Sequence, residues 1–322
     1  VVLIKLVQHC FFGAETDGEI AGFEAMIIEN TWLVRCVVSA LAAMSGSAVA
    51  SAQSVPTIDT EDATLGSATT SGHGRVHPML AFDGRNGDFA RGNYDDDRAD
   101  LNRLPVHAQV GVTIDLWHGG DGQPVGWLVL RSSNGFHAPA VREATAPRAW
   151  YESNTLAALV FTPAKGLRAA AVYTVKASPN GVSATTHEAS LSFAYDGDDA
   201  VGSLAPTFAV TTRSKGASGV YTQVGIEPGF ALGSGDGAAK LSTPLAVGVG
   251  WRGFYGRNSK DRLFASAGAA LEQPFSLGTI HATMRWEALA LIRDNRLAAF
   301  SGPDGETATV VPLVTWSVSV AY

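Results

Sequence analysis

Cysteine is nearly missing from this sequence: two in 322 residues, Cys10 and Cys36, both close to the beginning. Everything after residue 36 is therefore without a disulfide framework or a thiolate metal site. Charge is sparse as well, at 16% of residues against roughly 25% in ordinary soluble domains. Beyond residue 52 no apolar run approaches the roughly 20 residues of a membrane-spanning helix. If that part crosses a bilayer, it does so with strands. No helical apolar stripe of quality occurs there either; residues 287–297 come nearest, and their charges interrupt it. HExxH, CxxCH, a phosphate-binding glycine loop and a nucleophile elbow are all missing from it, so no catalytic residue, no metal and no cofactor is expected.

The first 25 residues show no clear amphipathic period and contain no Met. Met26 then opens a segment ordered like a secretory signal: a lead-in with Arg35, the apolar run CVVSALAAM, and small residues with two Ala-x-Ala sites. The expectation is an upstream extension over 1–25, a signal peptide over 26–52 and cleavage after Ala52. Residues 1–52 hold two of the 23 basic residues (Lys5, Arg35) and five of the 30 acidic ones (Glu15, Asp17, Glu19, Glu24, Glu29), leaving a net charge of −4 beyond them. That mild acidity gives no electrostatic reason to expect nucleic acid.

Residues 53–103 are polar and read as an N-terminal tail or plug-like segment, with acid gathered in DGRNGD (83–88) and NYDDDRAD (93–100). Oxygen-rich loops suit calcium, but the spacing matches no EF-hand and a solvated acidic loop is the expectation. GSGDG (233–237) occurs once and reads as a flexible loop. VHPMLAF (76–82) is a candidate first strand.

From Val106 onward, extended segments alternate apolar and polar between Gly, Asp, Asn and Pro. Val106, Ala108, Val110, Val112, Ile114 and Leu116 oppose His107, Gln109, Gly111, Thr113 and Asp115. Similar faces recur around 156–162, 167–175, 189–195, 204–210, 224–232, 241–255, 280–286 and 310–322. Two architectures suit such a series, a soluble all-β sandwich or solenoid and a membrane barrel. Strand length, polar faces carrying Arg, Glu, His and Gln together, and aromatics at Trp251, Tyr255, Trp286, Trp316 and Tyr322 favour the second. The fold expected is all-β, an antiparallel transmembrane β-barrel of about 10–12 strands over residues 104–322.

Residues 310–322, VVPLVTWSVSVAY, carry one face apolar throughout and end on an aromatic. This resembles the C-terminal strand of bacterial outer-membrane barrels, and implies recognition by the barrel-insertion machinery through Tyr322. YTQVGIEPGFAL (221–232), STPLAVGVGWRGFYG (242–256) and LFASAGAALEQP (263–274) together resemble a proteobacterial family of uncharacterised, predicted outer-membrane proteins, with Tyr221, Glu227, Pro228, Pro244 and Tyr255 at its pattern positions. The likeness covers mainly 217–322, lacks the Tyr-Arg-Gly first-strand motif, and implies a location in the Gram-negative outer membrane and a fold without an activity.

The function expected is a porin-like channel for small polar solutes, lined by Gln223, Glu227, Arg252, His281, Thr283, Arg285 and Glu287, whose opposed charges would set up a transverse field. A non-conducting structural or surface-interaction barrel, in which the same residues pair and plug the lumen, is the alternative. A third class is a lipid hydrolase using His281 with Glu287 and Ser266 or Ser276. Outer-membrane lipid and small solutes are the partners expected.

Overall fold

The computed structural model describes residues 75–321, apart from 88, 95–103, 121, 140–144, 182, 217–218, 236, 257–258, 279 and 300–307. The expected leader with both cysteines, most of the acidic stretch and Tyr322 lie outside the described residues.

Period-two alternation produces strands almost throughout. In chain order they are β1 Val76–Arg85, the short pair β2 Phe89–Ala90 and β3 Asn93–Tyr94, β4 Val106–His118 and β5 Pro124–Phe136. Next come β6 Trp150–Ala164, β7 Leu167–Ala177, β8 Thr186–Tyr195, β9 Thr207–Lys215, β10 Val220–Ile226 and β11 Gly229–Ala231. The series ends with β12 Lys240–Ser242, β13 Leu245–Gly250, β14 Arg262–Leu277, β15 Ile280–Arg293 and β16 Val310–Ala321. Between the last two stands one helical turn, α1 Asn295–Ala298, capped by Asp294, whose side chain accepts from the backbone N–H groups of Arg296 and Leu297.

Each long strand pairs antiparallel with its neighbour, and β1 closes on β16 from Met79 opposite Ala321 to Arg85 opposite Thr315. The result is a closed barrel of 12 strands. Two of the twelve staves are broken by proline, which has no N–H to give to a ladder. Pro228 separates β10 from β11, and Pro244 separates β12 from β13. The partners stay matched, β10 with β13 and β11 with β12, so each broken pair is one bent stave. The first stave, β1, lies ahead of residue 104; the barrel takes in part of the segment expected to be a polar tail. The strand expected to run from 241 to 255 stops at Gly250 and gives way to a turn. The helical character near 287–297 resolves into β15 as far as Arg293, followed by α1.

The polarity of this barrel is inverted relative to a soluble protein. Outward positions hold exposed Leu80, Phe82, Val110, Leu159, Leu191 and Val314, each 46–53% accessible. Asp83, Arg85, Asp115, Arg131, Glu188, Glu272, Arg285 and Arg293 point inward and are buried. Among the described residues, Lys215 at the tip of β9 and His187 opposite it on β8 are the exceptions to an outer wall free of acid and base. A continuous apolar outer wall of this kind is the surface of a membrane-spanning barrel. The aromatics are arranged differently from an interfacial girdle. Trp286 and Trp316 face each other in register near the middle of their staves, because alternation fixes a side chain's face and not its height.

The two ends differ. At one, short connections such as 119–123, 165–166 and 278–279 join the staves, and β1 begins and β16 finishes there. At the other, longer connections gather: 86–105, 137–149, 251–261 and 294–309. Parts of these fold inward. Phe89, Phe254, Tyr255 and Leu297 pack with Tyr221, Phe264, Leu291, Val311 and Leu313 into an apolar cluster inside the loop end.

Candidate functional site

Among the described residues, three groups of charges in the lumen gather several partners each, besides the single contact of His77 Nε2 with Asp115 at 3.4 Å. At the loop end the connection between β1 and β4 turns back as the β2–β3 hairpin. Its two central residues, Arg91 (φ 53°) and Gly92 (φ 75°), are both left-handed, as a two-residue hairpin requires. For arginine that backbone costs on the order of 1–2 kcal/mol. Interactions inside the barrel offset it. The Arg91 guanidinium donates to both carboxylate oxygens of Glu188 on β8, at 2.7 Å each, the fork geometry that makes such pairs strong. It also lies 5.1 Å from the Tyr221 ring centre and 5.5 Å from that of Phe254. Gly92 leaves space for Phe264, whose ring a Cβ would meet at 2.5 Å.

Glu188, 1% accessible, is also held by Arg213 Nε on β9 at 3.0 Å and Lys176 Nζ on β7 at 3.7 Å. Arg213 Nη1 donates to the Phe254 carbonyl at 2.7 Å and its guanidinium stacks 4.2 Å over that ring. Tyr255 donates its hydroxyl to the Arg91 carbonyl at 2.6 Å. Burial pushes the Tyr255 phenol well above its ordinary range, so it remains a donor. Hairpin, 251–261 connection and barrel wall thus meet at one carboxylate.

The second group lies beside it on β1, β4 and β6. His107, fully buried, has Nδ1 3.1 Å from Asp83 Oδ1 and Nε2 3.2 Å from Glu152 Oε2 and 2.7 Å from the Tyr151 hydroxyl. Arg85 Nε donates to Asp83 at 3.0 Å, and Asn154 to Glu152. Asp83 is therefore an inward partner of His107 and Arg85, where a solvated acidic loop was expected.

The third group lies toward the turn end. Arg285 on β15 sits among three glutamates: Glu227 at 2.7 Å, Glu287 at 2.6 Å and Glu272 of β14 at 3.6 Å. Ser242 donates to Glu227 at 2.7 Å, and Lys240 stands opposite Glu272 in the β12–β14 ladder.

Of the residues expected to line the lumen, Glu227, Arg285 and Glu287 come together as this third group. Gln223 is on the inward row of β10 and accepts from the Tyr221 hydroxyl, and Thr283 is on the inward row of β15, next to Arg285. His281 is exposed near the β14–β15 turn, Nδ1 3.5 Å from Ser276 Oγ. Arg252 is elsewhere: it is exposed in the turn after β13, its backbone N–H donating to Asp261 at 2.7 Å. Of the hydrolase grouping, Ser276 and His281 come together, whereas Glu287 is six residues from His281 along one strand, about 20 Å, and Ser266 pairs with Leu291. Sequence reasoning missed Arg91, Glu188, Arg213, Asp83, His107, Glu152 and Glu272. The alternation of His107 with Val106 and of Glu188 with Ala189 carried the signal for two of them.

No family model and no curated protein matches the chain. Three solved structures are similar to it in outline. LpxR from Salmonella typhimurium is 10% identical with a TM-score of 0.39, over 75% of this chain and 99% of that one. A bacterial polysaccharide outer membrane secretin is 8% identical at 0.40, over 78% and 99%. A Pseudomonas aeruginosa FadL homologue is 9% identical at 0.35, over 77% and 90%. At these identities and scores they do not bear on what this chain does.

Proposed function

We propose that the chain is a bacterial outer-membrane barrel that serves small polar solutes as a gated channel, closed in the described state by the β2–β3 hairpin. The observation that carries this reading is the fork between Arg91 and Glu188. It joins a loop hairpin to the wall, so it can be released without breaking any stave of the barrel. Buried charge is costly to hold in a permanently dry interior, and an interior that becomes wet on opening offsets that cost. Membrane lipid, and insertion machinery acting on the last strand, are its other partners in this reading.

A non-conducting barrel is favoured by one separate observation. Trp127, Val129, Leu156, Ala158, Val160, Ala170 and Val172, inward residues on the turn-end side of β5, β6 and β7, pack as an apolar core rather than as the wall of a water path. Planar-bilayer recording separates the two. Wild-type protein is expected to be closed most of the time, and Arg91→Ala to open far more often with a discrete conductance. Silence from both proteins, after insertion is verified, would replace the channel with the non-conducting barrel.

A further inference from the structure

The outer wall is not uniform. Across β6, β7 and β8 it carries two successive rows set by the register, Ala157–Tyr173–Ala189 and, one step toward the turn end, Leu159–Ala171–Leu191. Ala171 is thus a gap between two exposed leucines, and the alanines beside Tyr173 extend it diagonally. The hollow has a volume of about 600 Å³, within the usual size of a small-molecule site. One step nearer the loop end, the Tyr173 hydroxyl lies 2.7 Å from His187 Nδ1, both groups exposed on the outer wall. Ser132 and Thr155 on one side and Lys215 on the other continue this polar height, so the wall here carries an apolar trough below a polar row that includes a hydroxyl and an imidazole.

We infer that this trough is a site for one acyl chain of a bilayer lipid, with the lipid's ester or phosphate oxygens at the Tyr173–His187 pair. The inference rests on the membrane-spanning reading of the barrel. The occupant follows from position and chemistry. The trough opens outward among exposed apolar residues, where hydrocarbon chains are the surrounding solvent. A flexible chain fills a hollow floored by alanine that a flat neighbouring surface would leave void, and voids forfeit contact energy. The polar pair supplies a hydroxyl and an imidazole, donors suited to acceptor oxygens at the head of that chain. A second copy of this chain is the competing occupant.

The test uses the full chain in bicelles containing phosphatidylethanolamine with a photoreactive diazirine near the end of one acyl chain, the label being mapped on peptides. The wild type is expected to concentrate label at 157–159, 171 and 189–191. Ala171→Phe should lower that yield several-fold, while Ala267→Phe, outward on β14, leaves it unchanged. His187→Ala should lower it with phosphatidylethanolamine but not with a diazirine-labelled alkane. Heat-dependent gel migration verifies that each variant is folded, and Ala189→Phe replaces Ala171→Phe if the latter does not fold. Even labelling around the outer wall, or a yield indifferent to Ala171→Phe, would overturn the site and leave the membrane barrel standing. Crosslinks between two copies at the trough would overturn it in favour of a dimer. No label on any outward residue would remove the membrane reading itself.

Discussion

Glu188→Ala is expected to lower the stability of the folded barrel by about 3–5 kcal/mol, the usual cost of breaking a buried ion pair. The cost is large because three cations lose one anion. Arg91, Arg213 and Lys176 all reach Glu188, and the carboxylate is 1% accessible. Arg213 keeps its bond to the Phe254 carbonyl, which satisfies a hydrogen bond without cancelling charge. Glu188→Gln keeps the shape and should lose nearly as much, since an amide supplies one acceptor and no charge. Arg91→Ala should be the mildest of the three. It removes the charge that Glu188 faces but leaves Arg213 and Lys176 beside the carboxylate, and it removes an arginine from a left-handed backbone position. The measurement is the urea midpoint of the detergent- or bilayer-folded protein. Equal midpoints for all three variants and wild type would mean that Glu188 is not the junction described.

Arg285→Ala carries the second large effect, and an uncharged variant of similar size distinguishes its cause. Glu227, Glu272 and Glu287 would be left around a missing cation, with Lys240 the remaining basic group nearby. At neutral pH the loss should again be about 3–5 kcal/mol. Arg285→Met keeps most of the volume and none of the charge, so it should lose nearly as much as Arg285→Ala. A urea midpoint for Arg285→Met equal to that of wild type would show that lost packing, rather than lost charge, causes the deficit.

The barrel was legible in the sequence where alternation is clean. The faces of β4, β8, β15 and β16 follow directly from residues 106–116, 188–195, 280–286 and 310–320, because each polar residue goes inward when its neighbours go out. Pro228 and Pro244 were visible as letters, but their effect needed the pairing: a proline inside an alternating run bends a stave when its partner bends with it. Arg252 was misplaced for the same reason, since alternation continues on paper past Gly250 while the chain turns at Trp251. Glu227, Arg285 and Glu287 were readable because alternation puts them on inward rows, whereas Glu272 was not, since its strand is alanine-rich on both faces. The Arg91–Glu188 junction was not. It joins residues 97 positions apart, through a hairpin whose Arg-Gly turn lacks the usual Asn-Gly or Asp-Gly signature. Asp83 was hidden in an acid-rich run, and only closure of β1 against β4 and β16 turns it toward His107.

Electrophoresis of the outer-membrane fraction, with and without prior heating, tests the central claim most directly. A closed membrane-spanning barrel is expected in that fraction, with the unheated protein migrating apart from the heated one because the folded barrel resists detergent. Recovery from the soluble periplasm, with one migration position under both conditions, would contradict the account.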